Sequence, residues 1–229
     1  MKFRKDFNCN DCPLKCEIYK TIIENGGDFT TLKPLHVNLK KNENICKQGT
    51  QVTHAIYIVS GTAKLYIEGL DNHNIILYIL KPHSYVGLLS FFETPQYHYT
   101  VKPLEEACVC MVDLNIVKQL YIENHTFLIS LNKAFGKSVA LIMRKIITLN
   151  QKNIRGRVAD SLLYLSDLYN KNKFNMMLTR KELGELSSIS EENTVRLLTE
   201  FKQENIIKVE GREIEILDKP LLKRISEFG

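Results

Sequence analysis

Between residues 35 and 113 short apolar runs alternate with turn residues. Residues 55–59, 63–67, 75–80 and 107–112 are β-branched, aromatic or otherwise apolar, and Gly49, Ser60-Gly61, Gly69, Asp71-Asn72, Pro82 and Gly87 punctuate them. Segments this close together leave no room for crossover helices. The pattern therefore predicts an antiparallel barrel or roll and excludes a parallel α/β sheet.

The rhythm changes after Asp113. Over residues 123–150 turn residues thin out, and Leu131, Phe135, Val139, Ile142, Ile146 and Leu149 recur at three- and four-residue intervals, which predicts one long helix. Its first turns, around Phe127 and Leu128, pack on their own domain. Val139, Ile142, Ile146 and Leu149 keep a rhythm suited to a two-helix seam, with Arg144, Lys145 and Asn150 off the stripe. Next come Gly156, a helical pattern over 158–169, a polar break at 170–173, and two short helical patterns parted by 187–190. Thr179 and Glu182 form a capping-box signature. Ser190 caps a second helix carrying Val195, Leu197, Leu198 and Phe201, with Glu191 and Glu192 in its first turn where the dipole favours them. The product is a helix-turn-helix. A hairpin over 206–209 and 213–217 follows, turning at 210–212.

Composition fits this picture. With 229 residues, 44% hydrophobic and 25% charged, the chain suits one large or two modest globular domains. No uninterrupted apolar run approaches the ~18 residues of a membrane span, so no membrane association is expected. The charged N-terminus lacks the apolar core of a secretory signal, which points to the reducing cytoplasm. The six cysteines then read as buried thiols, metal ligands or redox groups before disulfides. Net charge is +5, yet residues 154–229 hold 13 basic and 13 acidic side chains, so the excess lies outside the helix-turn-helix. Six scattered histidines, with no pair at helical spacing, and the absence of a phosphate loop or nucleophile elbow argue against an enzyme. Cys9-x-x-Cys12 as a thiol-disulfide motif lacks its α/β context, and Pro13 lies outside the pair.

The order of roll, long helix, helix-turn-helix and hairpin resembles the CRP/FNR family of bacterial transcription regulators, in the style of its Bacteroidetes members. Gly49 through Tyr66, with Tyr57 and Gly61, looks like the family's roll motif. Ile154-Arg-Gly156-Arg157 looks like the start of its DNA-binding domain, and the stretches around Arg180, Gly184 and Arg196 look like its two DNA-binding helices. The resemblance implies an α+β fold with an N-terminal cyclic-nucleotide-binding-like β-roll, a long dimerisation helix and a C-terminal winged helix-turn-helix. The corresponding segments are an arm over 1–20, a roll over 21–122, the helix over 123–152 and the DNA-binding domain over 153–229. It also implies a cytoplasmic homodimer on a palindromic operator of double-stranded DNA, with RNA polymerase as partner. An adaptor with a roll but no DNA binding is the rival. Arg196 and the caps at Thr179 and Ser190 speak against it.

Carried over residue by residue, Ser190, Glu191, Glu192, Asn193 and Arg196 face the bases. Arginine can pair with guanine, and glutamate can accept from cytosine N4. Arg180 and Arg157 become phosphate clamps. Glu191 stands where the cyclic-AMP receptor has an arginine, and Ser188 where a left-handed glycine is usual.

For the effector, cyclic-nucleotide binders of the family use a glutamate and an arginine that Leu88 and His98 replace here. Leucine cannot accept from a ribose hydroxyl, and histidine is a poor substitute for a bidentate guanidinium, so the expected effector is not cyclic AMP. Gly87, Leu88, Phe91, Phe92, Tyr97, His98 and Tyr99 line either a more apolar pocket or simply the core of the roll. The other route is the arm. Cys9, Cys12 and Cys16 can converge on one soft metal centre, and the resemblance to the oxygen-sensing branch supplies Cys110 as the fourth ligand. Three readings stay open, in this order: no metal and an unknown effector, a 4Fe-4S cluster, and zinc.

Overall fold

The computed structural model describes residues 2–4, 9–12, 14–24, 32–41, 43–90 and 96–229. The chain divides into two compact units, 1–67 with 79–140, and 68–78 with 141–229.

The first unit carries β1 (Lys2–Arg4), α1 (Glu17–Glu24), β2 (Leu35–Leu39), β3 (His54–Ser60), β4 (Ala63–Ile67), β6 (Tyr85–Val86), β7 (Thr100–Pro103), β8 (Ala107–Asp113) and α2 (Leu114–Glu123). β5 (Ile75–Leu80) crosses the division. The strands form sheets ordered β1-β2-β8-β3-β6 and β5-β4-β7. Pairing is antiparallel in β2 with β8, β3 with β8 and β6, and β4 with β7, as the close spacing of the runs requires. Directly opposed residues in such pairs share a face. The register therefore lays His36, Cys110, Tyr57 and Tyr85 in one row across β2, β8, β3 and β6. β3 is buried from Ala55 through Ile58 without alternation, so both of its faces are covered. Gly61 makes the β3–β4 turn at φ +81°, and a Cβ there would lie 2.6 Å from the Glu106 carbonyl oxygen. Only glycine suits both conditions.

The long helix expected over 123–150 is present, and a separate helix, α2, precedes it. Asp113 caps α2 through the Asn115 N–H at 2.8 Å, and Asn124 ends α2 while its side chain accepts from the Phe127 N–H at 2.8 Å to start α3 (His125–Gln151). Within the first unit Phe127 is buried and Leu128 half-buried, in line with the packing expected of the first turns, and Leu131 is buried after them. By length and composition α3 is long and apolar enough to cross a bilayer, with only 11% of its most apolar window buried. A search for uninterrupted runs misses this because Asn132, Lys133 and Lys137 break the apolar stretch.

The second unit carries the segment 68–78, the last turns of α3, α4 (Ile154–Tyr169), β9 (Lys173–Asn175), α5 (Arg180–Ser187), α6 (Glu191–Gln203), β10 (Ile207–Glu210), β11 (Glu213–Ile216) and α7 (Lys219–Phe228). Val158, Leu162, Leu165, Leu178, Leu183, Phe201, Ile206, Ile214 and Leu222 make its core. β10 and β11 form the expected hairpin. Its third strand, β9, falls at the end of the presumed polar break: Phe174 alone is apolar there, and it is buried and stacked on Tyr169.

Candidate nucleic-acid interface and effector site

Local chemistry sets the angle of α6. The Thr179 side chain accepts from the Glu182 N–H at 3.1 Å, while the Glu182 carboxylate accepts from the Thr179 N–H at 2.7 Å, completing the capping box that starts α5. Ser188 ends α5 in the left-handed conformation at φ 53°. A Cβ on Gly184 would meet the Ile189 carbonyl oxygen at 2.8 Å and the Thr194 hydroxyl at 2.9 Å, so glycine is what lets the two helices approach. The Ser190 hydroxyl accepts from the Asn193 N–H at 3.2 Å, so this side chain serves the cap of α6.

Thr194, Leu197, Leu198 and Phe201 bury one face of α6. Glu191, Glu192, Val195, Arg196 and Thr199 are exposed on the other. Asn193 is half-buried. The Arg196 guanidinium donates to Glu200 at 2.6 Å and to the Asn193 side chain at 3.3 Å, with the arginine side chain 52% exposed. Val195 and Thr199 were not among the expected contacts. Their signal was the helical repeat counted on from Glu191 and Glu192, and Val195 supplies an apolar surface of the kind that meets a thymine methyl.

The two expected phosphate clamps are engaged elsewhere. Arg157 donates from Nε to the Lys152 carbonyl at 2.9 Å and from Nη2 to the Leu149 carbonyl at 2.7 Å. The Leu149 carbonyl lies in the last turn of α3 and that of Lys152 just beyond it, where the helix leaves acceptors without intrahelical donors. Arg180 donates from Nη2 to the Gly211 carbonyl at 2.6 Å, and its Nη1 is buried with no hydrogen-bond partner among the described residues. Burial, then the neighbouring Arg212, holds its pKa below the ordinary value. Arg180 bridges α5 and the β10–β11 turn, where the resemblance implied a phosphate clamp.

In the roll, Leu88, Tyr97 and Tyr99 are buried, and the Tyr97 and Tyr99 rings meet edge to face at 6.2 Å. Gly87 adopts φ +101°. His98 is exposed, which removes it from the interior role that its position suggested. Phe91 and Phe92 lie outside the described residues.

The four expected thiols lie near enough to oppose one another's ionisation. Cys9 and Cys110 are buried, while Cys12 and Cys16 are half-buried. Burial, then the charges of Cys16 and Cys12, pushes Cys9 up to about 11, with Lys15 pulling the other way. Burial, then Cys16, Cys9 and Cys12, raises Cys110, and burial leads the rise at Cys16. The row beneath feels the arm too. Tyr57 is raised by burial and then by Cys16 and Glu17, and Tyr85 by burial and then Glu17 and Cys16. The tyrosine rings touch edge to face at 4.8 Å. Among the described residues no three His, Cys, Asp or Glu side chains are drawn tightly enough to hold a metal ion. The donor chemistry nevertheless fits one. Four thiolates could share this buried space only with a cationic centre between them.

Comparison with known proteins agrees with this architecture. A model of the Cyclic nucleotide-binding domain matches residues 36–124, and one of the Crp-like helix-turn-helix domain matches residues 156–225. The chain belongs to the CRP/FNR family of transcription regulators. It is a DNA-binding regulator and not an enzyme. Among CRP/FNR relatives, the Transcriptional activator protein FnrA of Stutzerimonas stutzeri is 24% identical over 226 residues, covering 95% of this chain and 92% of that one. The cAMP-activated global transcriptional regulator CRP of Salmonella typhimurium is 25% identical over 174 residues, covering 74% and 83%. The solved structure of FixK2 from Bradyrhizobium japonicum shares the fold, with a TM-score of 0.75 at 17% identity, covering 83% of this chain and 96% of that one.

Proposed function

We propose that the protein is a homodimeric, sequence-specific regulator that reads a two-fold operator through α6 and whose effector state is set at the thiols of Cys9, Cys12, Cys16 and Cys110. The effector part is supported by the placement of the four thiols, three on the arm and one fixed on β8, near enough to oppose one another's ionisation. Cys110 would supply the ligand fixed in the sheet, and Cys9, Cys12 and Cys16 of the arm the other three. Tyr57 and Tyr85, beside Cys110 in the sheet row, keep water from that side. Of the two metal readings the 4Fe-4S cluster is the one we advance, on the strength of the resemblance to the oxygen-sensing branch. Such a group, when bound, would give the arm sensitivity to oxygen and redox state. Cyclic AMP is not the proposed effector, because Leu88 is apolar and His98 is exposed.

Dimerisation through α3 is supported by its exposed apolar face. Met143, Ile146 and Ile147 are 58%, 57% and 52% exposed, while Val139, Ile142 and Leu149 are half-buried at its edge. Met143 and Ile147 extend the expected stripe. The contact set on DNA is Glu191, Glu192, Asn193, Val195, Arg196 and Thr199, with Ser190 as the cap. The partners are double-stranded DNA and RNA polymerase, and the cytoplasm is where the protein meets both.

The test is the visible absorption, iron, sulfide and zinc content of protein purified anaerobically. A coloured protein holding iron and sulfide supports the reading. One zinc makes the arm a structural knuckle, and no metal moves the effector to another site; both outcomes overturn the cluster.

A further inference from the structure

The last turn of α5 is held from three directions. Glu185, Leu186 and Ser187 are only 8%, 4% and 2% exposed. Asn74, in the segment whose ends continue into β4 and β5, donates its amide to Glu185 Oε1 at 3.3 Å. Lys145, on α3, donates its ammonium to the Leu186 carbonyl. The Ser187 hydroxyl donates to Ser161 of α4 at 2.9 Å. Three successive residues thus answer to three separate elements.

The chain beyond this turn has no slack. Ser188 is left-handed, the Ile189 N–H returns to the Gly184 carbonyl at 3.0 Å, and Ser190 already caps α6. A shift of the turn is therefore delivered to α6. The residues from Ser188 to Glu191 also line one groove with Asp71, His73 and Asn74, so the 68–78 segment flanks the start of the recognition helix.

Lys145 is the unexpected member. It is 9% exposed, and an apolar side chain of similar length would fill its site without desolvating a charge. What lysine adds is a donor directed at one carbonyl.

We infer that the last turn of α5 is the joint through which α3 and the 68–78 segment orient the recognition helix, with Lys145 and Asn74 as its positioning residues. This rests on the DNA-reading role of α6. The joint gives each of two elements outside the helix-turn-helix a direct hold on it. Loosening either hold leaves α6 folded and able to touch phosphate, but misaligned for base edges.

The experiment uses the full chain and a duplex selected from a random library by the wild-type protein. Lys145→Met keeps the packing and removes the donor; Asn74→Ala removes the other hold from an element outside the core. Each is expected to weaken binding to the selected duplex by about tenfold, the scale of coupling carried through packed contacts, with binding to random duplex kept within about twofold. The double variant is expected to lose less than the product of the two, since both act on one turn. Equal losses on selected and random duplex, or unchanged binding to the selected one, would overturn the joint. Failure of the wild type to enrich any duplex would instead overturn the operator reading beneath it.

Discussion

On the proposed reading Arg196 and Cys110 each take a partner, in opposite surroundings. Arg196 is half-exposed and already bonded to Glu200 and Asn193, so DNA must replace contacts that exist. Cys110 is buried among thiols that each disfavour its ionised form, so its partner must bring positive charge. A surface site with a resident partner is weakened and tuned by salt. A buried like-charge site ionises one group at a time, each thiolate making the next harder to form, unless a cation compensates them together. The reading head is thus built to be adjusted, and the arm to be switched.

The sharpest way to break this contrast is at the thiols. Cys110→Ser is expected to abolish metal uptake, read as loss of iron and colour from anaerobic protein, while Cys46→Ser and Cys108→Ser retain both. A fully coloured Cys110→Ser protein would show that the arm closes on something else. Next in size is α3, exposed like Arg196 but apolar like a core. Ile142→Glu with Ile146→Lys is expected to weaken dimerisation by about 3 to 5 kcal/mol, since both charges lose water in the seam. Sedimentation of both proteins across a dilution series measures it, and a wild-type monomer that still grips a full palindrome tightly would remove the seam.

The same contrast explains what could be read from residues alone. The helix-turn-helix is specified locally. Thr179 with Glu182, Ser190 with its N-terminal glutamates, and the approach at Gly184 each act within a few residues, so the motif stands out in sequence. The roll strands were legible for the same reason. The nearness of the thiols depends on the chain folding back: Cys110 is fixed by the pairing of β8 with β2 and β3, far in sequence from the arm, so the resemblance, not spacing, selected it. Arg157 and Arg180 misled because a surface cation and a cation capping a carbonyl look alike in sequence. Lys145 was visible only as a charge off the stripe, and nothing in its neighbours announced its burial.

Lys145 stands between the two extremes, a buried cation that keeps a partner. Burial lowers its pKa from 10.5 to about 8, with Asp160 opposing and Arg157 assisting. Arg144, Tyr78 and Tyr164 also line its site, and α5 presents Leu186. Between these values the unfolded chain binds the extra proton, so this contribution to stability rises as pH goes from about 8 to about 10.5. The difference in unfolding free energy between wild type and Lys145→Met should grow by up to about 3 kcal/mol over that window. Cys9 and Cys46, both raised, act in the opposite sense but are common to the two proteins, so they cancel. A flat difference in chemical denaturation would mean that Lys145 is solvated.

Arg196→Ala is expected to cost about 1 to 3 kcal/mol on the selected duplex and to relax preference at one base pair, leaving random duplex nearly unchanged. Equal loss on both would mean that Arg196 meets phosphate.

The smallest effect is the finest discriminator. If Arg180 were a phosphate clamp, Arg180→Ala would lower the salt slope of DNA binding by about one. Its Nη1 is buried and its Nη2 already donates to Gly211, so two of its three nitrogens are turned to the protein. As a strut, it should instead leave the salt slope unchanged and reduce stability by about 1 kcal/mol, the net worth of one such hydrogen bond. The Gly211 turn would then loosen, lowering selected and random affinity by the same small factor. A slope that falls by a full unit would return Arg180 to the DNA surface, and with it the view that the reading head's cations await phosphate in place of holding the domain together.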